Sequence, residues 1–222
     1  MTNSWTRAWL AALASIVLAV VITTSREEWL LRVEGPVMDW LLDGTDTSIW
    51  DRSEILSSWL VILPGTLLLA AIVVRKEWRV SGAIVATTLL AYALTGVISS
   101  FVGRIGPTAE TTGTFPSFAV VRSAVFFGLI VLTAWWVGAP KLVWHVLLEL
   151  ATVLTLIVSI REVINGEILP SDALGAGLIA LLTLISAAIL FEANLAPLKE
   201  RSTTGGLTAK FKKQSREGAT TA

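Results

Sequence analysis

The stretch GRIGPTAETTGTFPSFAVVR, Gly103 to Arg122, is a polar, proline-containing connection between two long apolar segments. It ends with Arg122, which already lies inside the second of those segments. A shorter polar stretch, Arg161 to Asp172, again separates two apolar segments. Long apolar runs joined by short polar connections are the pattern of a multi-pass membrane protein.

The composition supports a membrane protein and excludes several kinds of site. The chain has 222 residues, of which 54% are hydrophobic and 15% charged, whereas soluble domains carry about 25% charged residues. The absence of cysteine excludes disulfides and thiol catalysis. The single histidine, His145, excludes a two-histidine metal site within this chain. We find no pattern for binding a metal, a cofactor or nucleic acid and expect none of them.

Six apolar runs are long enough to predict membrane spans. The first run leads into Thr23, Thr24 and Ser25 rather than a small-residue cleavage site, which favours an uncleaved helix over a signal peptide. The fold class is therefore predicted as an all-α integral membrane protein, a six-helix transmembrane bundle over residues 1–191. Residues 192–222 are predicted to be a basic, disordered tail. The predicted spans are 8–22, 56–74, 80–102, 118–138, 142–160 and 173–191.

The segment 26–55 after the first span is acidic, with eight acidic and three basic residues. Apolar residues, among them Trp29, Val33, Val37 and Trp40, recur in it at three- and four-residue spacing. This periodicity predicts one or two short amphipathic helices on the membrane surface, with a break at Gly35-Pro36. Such a helix packs on the mouth of the bundle or binds a partner.

The basic residues predict the orientation of the chain. Eleven Lys and Arg residues lie in the N-terminus, the 75–79 turn, Lys141 and the tail, against five in the opposite set of segments. We therefore expect a plasma-membrane protein with both termini in the cytoplasm. The segments 26–55, 103–117 and 161–172 are expected to face outward.

Three arginines, Arg104, Arg122 and Arg161, fall at the outer ends of the predicted spans. Arginine binds phosphate well, and Ser117 is a good N-cap for the fourth span, whose N-terminus favours an anion. One hypothesis is a lipid-phosphate site formed by these four residues. The other is a structural network in which Arg122 pairs with acidic residues and locks the helices together. The acidic candidates are Glu162, Glu167 and Asp172.

His145 and Glu149 in the fifth span are four residues apart and share a helix face. An intramembrane pair of this kind relays protons or forms a hydrogen bond between helices.

The polar stretches also resemble the three motifs of the type 2 phosphatidic acid phosphatase (PAP2) superfamily. Gly103 to Pro107 is similar to the end of the first motif, although Gly106 stands at its arginine and Ser99 at its lysine. Phe115 to Ala119 is similar to the second motif, Pro-Ser-Gly-His, and Ile160 to Asp172 to the third. The resemblance implies a PAP2-like fold over about residues 1–191.

Members of that superfamily dephosphorylate lipid phosphates with two histidines, one a nucleophile and one a general acid. The resemblance places Ala119 and Ile168 at these two positions, and Arg161 one residue too far from Asp172. We therefore predict a protein without the catalytic histidines and assign no catalytic residue. Its first expected role is a non-catalytic accessory subunit of a bacterial membrane complex. The alternatives are a protein that binds phospholipid or polyprenyl phosphate, and an active lipid phosphatase.

Overall fold

The computed structural model describes residues 27–42, 52–75, 77–102 and 115–189, and residues 9, 10, 13, 14, 16, 17 and 20. We number the helices of these ranges in chain order. A short 3-10 turn, Arg52–Leu56, lies between the first two. The helices are α1 Glu27–Leu42, α2 Trp59–Val74, α3 Trp78–Val102, α4 Phe118–Trp136, α5 Lys141–Ile164 and α6 Pro170–Ile189.

Five helical spans are long and apolar enough to cross a membrane, with mean hydropathies of 1.8 to 2.2: α3 to α6, and α2 extended back to Glu54 of the 3-10 turn. They correspond to the second to sixth predicted spans, so the prediction of an all-helical, multi-pass protein is confirmed. The first predicted span, 8–22, lies largely outside the described residues and stays a prediction. Of its described residues, Trp9 donates a hydrogen bond from Nε1 to Ser186 Oγ of α6 at 2.9 Å. The predicted tail, 192–222, also lies outside the described residues.

The five spans alternate in direction, so their ends form two sets. One end of the bundle holds Ser117 at the start of α4, Glu162 near the end of α5 and Asp172 near the start of α6. We call it the cavity end. The opposite end holds the connections from α2 to α3 and from α4 to α5.

The centre of the bundle consists of apolar residues from all five spans, with a large share from α4 and α6. Val120, Leu129 and Ile179 are at most 1% exposed. Glycines allow close helix contacts here: a methyl group on Gly128 would overlap Leu184, and one on Gly65 of α2 would lie 2.7 Å from the Phe126 ring. Small residues therefore bring α4 against α2 and α6, as is usual between helices in lipid.

The helix α1 runs without interruption through Pro36, so the predicted break at Gly35-Pro36 is wrong. A proline inside a helix removes one backbone hydrogen bond. Contacts on both sides of it hold α1 to the bundle: Met38 is 5% exposed, and Glu34 Oε1 accepts the Ser171 N–H at 2.7 Å. The apolar side chains of Trp29 and Trp40 are 56% and 76% exposed, as expected of a helix at a membrane surface.

Candidate functional site

The start of α4 is held in place by α6. The Ser117 side chain is buried and accepts the Val120 N–H at 3.3 Å, so Ser117 is the N-cap, as predicted. Phe115 is 2% exposed, and its ring lies against Gly175 of α6, where a methyl group would overlap it. The Ser117 N–H also donates to Asp172 O at 3.4 Å. The free N–H groups of the first turn of α4 therefore have a fixed direction.

Asp172 stabilises the start of α6. Its side chain is fully buried, and Oδ2 accepts the Leu169 N–H at 3.0 Å. A carboxylate in the first turn that accepts an N–H from the residue before the helix is one half of a capping box. Through these contacts Asp172 orders the backbone beside the cavity.

Arg161 is surrounded by carboxylates. The predicted connection 161–172 starts too early, because Arg161 and Glu162 lie in the last turn of α5, and both are buried. Arg161 Nη1 pairs with Glu162 Oε1, and Nη2 lies 3.7 Å from Glu167 Oε1 and 3.7 Å from Glu54 Oε2. Glu162 and Glu167 were predicted as partners of Arg122, not of Arg161. Glu54, on the 3-10 turn, was missed; its only signal in the sequence is a negative charge in a segment predicted on the same side.

Arg122 is not paired in the same way. It lies about one turn into α4, and its Nε, like that of Arg161, is buried without a hydrogen-bond partner among the described residues. Arg161 makes three ion pairs at the cavity end, and none of them involves Arg122. The expected pairing of Arg122 with Glu162, Glu167 or Asp172 is not found in the described part of the chain.

The two arginines line one cavity of about 610 Å³. Its walls come from the 3-10 turn, the first turns of α2 and α4, and the end of α5 with the residues that follow it. Ser117, Glu162 and Glu167 contribute polar surface to it. Trp59 and Leu60 also line it, although their side chains are 57% and 64% exposed. The cavity wall is therefore partly polar and partly apolar, and its apolar part includes side chains on the outer surface of the bundle.

The two positions that the motif resemblance places at the histidines of the PAP2 superfamily both lie in the wall of this cavity. Ala119 is partly buried in the first turn of α4, and Ile168 is 4% exposed. A methyl group and a branched alkyl group can neither attack phosphorus nor transfer a proton. Within the described ranges, no three His, Cys, Asp or Glu side chains are grouped to hold a metal ion.

His145 and Glu149 lie on α5, far from the cavity end, and both side chains are exposed. His145 Nδ1 lies 2.6 Å from Lys141 O, and the imidazole stacks on the Trp144 ring at 3.8 Å. In the described part of the chain neither side chain bonds to another helix. The role expected of this pair therefore stays a prediction.

Arg104, the remaining predicted anion ligand, lies with residues 103–114 outside the described residues. The prediction for Arg104 stays a prediction. Of the four predicted anion ligands, the structure brings Ser117, Arg122 and Arg161 to one cavity.

The fold is that of a solved PAP2-type phosphatase. The chain is similar to the crystal structure of the first transmembrane PAP2 type phosphatidylglycerolphosphate phosphatase from Bacillus subtilis, with a TM-score of 0.73 and 15% identity. The similarity covers 83% of this chain and 96% of that chain. No protein-family model and no curated protein sequence matches the chain. The likeness confirms the predicted PAP2-like fold.

Proposed function

We propose that this membrane protein binds the phosphate group of a lipid in the cavity beside α4 and does not hydrolyse it. The observation that supports the proposal most is Arg122, a guanidinium in the cavity wall whose buried Nε has no partner. Arg122 is partly buried, and a charged side chain within a membrane span usually pairs or serves function. A bound phosphate is the partner that this arginine lacks.

The first turn of α4 adds a second attraction for an anion at the same place. Ser117 caps the helix beside Arg122, and the N–H groups of a helix N-terminus carry partial positive charge. Arg161 contributes less, because three carboxylates already neutralise it. These carboxylates repel an anion, so the phosphate binds on the side of Ser117 and Arg122.

Two observations favour a lipid over a soluble phosphate. Trp59 and Leu60 line the cavity and are exposed on the outer surface of a helix long enough to span a membrane, where acyl chains contact protein. The similar solved structure is named as a phosphatase of phosphatidylglycerolphosphate, which is a lipid phosphate. Ala119 and Ile168 at the histidine positions favour binding without hydrolysis.

The test is a binding measurement with phosphatidic acid as the probe, on the whole protein in nanodiscs. Charged hydrogen bonds contribute about 1.5–3 kcal/mol, so we expect Arg122→Gln to weaken binding about ten- to hundred-fold. The matched control is Arg79→Gln, because Arg79 is exposed at the opposite end of the bundle beside the Trp78 ring.

Equal binding by wild type and Arg122→Gln would refute the phosphate site. A phosphate-release assay on the same lipid tests the second half of the proposal. We expect no release by the wild type; turnover abolished by Arg122→Gln would make the protein a lipid phosphatase.

A second candidate function is an accessory subunit of a membrane complex. It is favoured by α5, in which no residue from Lys141 to Ile157 is buried. Purification from the native membrane in mild detergent, followed by mass spectrometry, tests it. A different protein in stoichiometric amount would support an accessory role, and its absence would leave lipid binding as the function.

We also propose that both termini are cytoplasmic and that the cavity end faces outward. The proposal rests on the basic residues, eleven of which lie in segments of the opposite side. The cavity would then take its lipid from the outer leaflet.

A further inference from the structure

The helix α5 is the least covered of the described spans. Only 6% of its most apolar stretch is buried, against 22% to 56% in the other four spans. Its buried residues, Val158 and Arg161–Ile164, all lie near the cavity end. Most of the helix length therefore contacts the surroundings of the chain rather than its core.

The exposed side of α5 has a regular pattern. Leu142, Val146, Glu149, Val153 and Leu156 follow one another at spacings of four, three, four and three residues. All five side chains are exposed; the four apolar ones are 51% to 75% exposed. This is the a/d repeat of a coiled coil, and left-handed packing of the same kind is common between helices in membranes. We call these five residues the α5 seam.

Glu149 makes the α5 seam unlike an ordinary lipid-facing surface. At 1.5 Å per residue, Glu149 lies about 12 Å from Lys141 and about 22 Å from Ile164 along the axis. The hydrocarbon core is about 30 Å thick, so a span of this length places Glu149 well inside it. Polar groups in that region are costly and almost always face protein or a water-filled cavity. The exposed carboxyl group therefore indicates a protein partner.

We propose that this partner is a second copy of the chain, packed through the α5 seam about a two-fold axis perpendicular to the membrane. Such an axis places the same surface of both copies in contact. Glu149 then lies opposite the partner subunit's Glu149. His145 flanks the seam about one turn away, so two carboxyl groups and two imidazoles form one polar cluster.

A second copy of the chain can satisfy the hydrogen bonds of this cluster without another protein. A carbonyl oxygen only accepts hydrogen bonds, so at 2.6 Å from Lys141 O the Nδ1 atom is the donor. The Nε2 atom is left for a further hydrogen bond. A carboxyl group of the partner subunit shares a proton with it. A different protein would have to supply such a group, whereas a second copy brings one at the matching depth.

Cysteine cross-linking tests the geometry directly, because the chain has no cysteine of its own. Disulfides need Cα atoms about 4.4–6.8 Å apart, a separation found at seam positions of a close helix pair. We expect Val146→Cys and Val153→Cys to give covalent homodimers in dilute proteoliposomes under mild oxidation. Leu148→Cys is the control: it is 46% exposed but lies on another side of α5. Cross-linking equal to that of the control would overturn the proposal, as would seam cross-links in native membranes that join only a different protein.

The polar cluster is tested by the dissociation constant of the dimer in lipid, measured by energy transfer between labelled chains. Hydrogen bonds between membrane helices predict that Glu149→Leu weakens the dimer roughly three- to thirty-fold. Glu149→Gln keeps a hydrogen-bonding side chain and should stay within about threefold of wild type. An unchanged dissociation constant for Glu149→Leu would overturn the role of Glu149.

Discussion

Arg122 and Arg161 line the same cavity, but their surroundings differ. Arg161 is 7% exposed and contacts three carboxylates, one of which, Glu162, is itself 4% exposed. Removing one member of a buried ion pair leaves the other charge buried without a partner, which costs about 3–5 kcal/mol. In the described part of the chain no carboxylate pairs with Arg122, so replacing Arg122 leaves no buried charge there without its partner. The same substitution should therefore affect stability very differently at the two positions.

We expect Arg161→Met to lower the free energy of unfolding by about 3–5 kcal/mol, because Glu162 stays buried without its partner. Arg122→Met should leave stability unchanged or raise it, since it removes an unpaired charge. Thermal unfolding of both variants in one detergent, without added lipid phosphate, measures the difference. Equal losses would mean that Arg122 is held by contacts like those of Arg161.

At the scale of elements, the position of the α4 N-terminus depends on α6. A methyl group on Gly175 would overlap the Phe115 ring, which lies two residues before the Ser117 N-cap. Overpacking of this kind costs about 1–3 kcal/mol and would displace the first turn of α4. Gly177 lies on the same helix, but a methyl group there would have no neighbouring atom within 4 Å. Alanine substitutions at Gly175 and Gly177 therefore distinguish the effect of packing on stability from the effect of helix propensity.

Gly175→Ala is expected to lower stability by about 1–3 kcal/mol and to weaken phosphatidic acid binding. Gly177→Ala should raise stability by about 0.5–1 kcal/mol, because alanine is the better helix former, and leave binding unchanged. Unfolding and lipid binding of the two variants, measured side by side, test this. Normal binding by Gly175→Ala would show that the α4 start does not depend on the Phe115 contact.

The sequence predicts elements whose causes are local. The spans corresponding to α2 to α6 follow from apolar length, and the Ser117 cap follows from one residue at a helix start. Continuity of α1 through Pro36 depends on Glu34 binding the N–H of Ser171, far along the chain. The ion pair between Arg161 and Glu54 is likewise a tertiary contact. No local pattern contains either one, so both were missed.

At the scale of the whole molecule, the motif remnants predicted the PAP2-like fold because their order and spacing follow the topology of the bundle. The fold alone does not determine activity. The residues that differ from the motifs, Ala119 and Ile168, lie in the wall of the same cavity as Arg122. The proposal of binding without hydrolysis therefore rests on the chemistry of a few side chains within a fold shared with a solved phosphatase.

The orientation of the bundle decides which leaflet supplies the lipid. The chain has no cysteine, so a single cysteine introduced at either end of the bundle can show on which side of the membrane that end lies. Ile55 lies on the 3-10 turn at the cavity end and is 60% exposed, whereas Val137 follows α4 at the opposite end and is 48% exposed. Because basic residues favour the cytoplasmic side, Ile55→Cys should react with an impermeant maleimide in intact cells. Val137→Cys should react with the maleimide only after the cells are permeabilised. The reverse pattern would place the Arg122 cavity at the inner leaflet, and its lipid phosphate would then come from the cytoplasmic side.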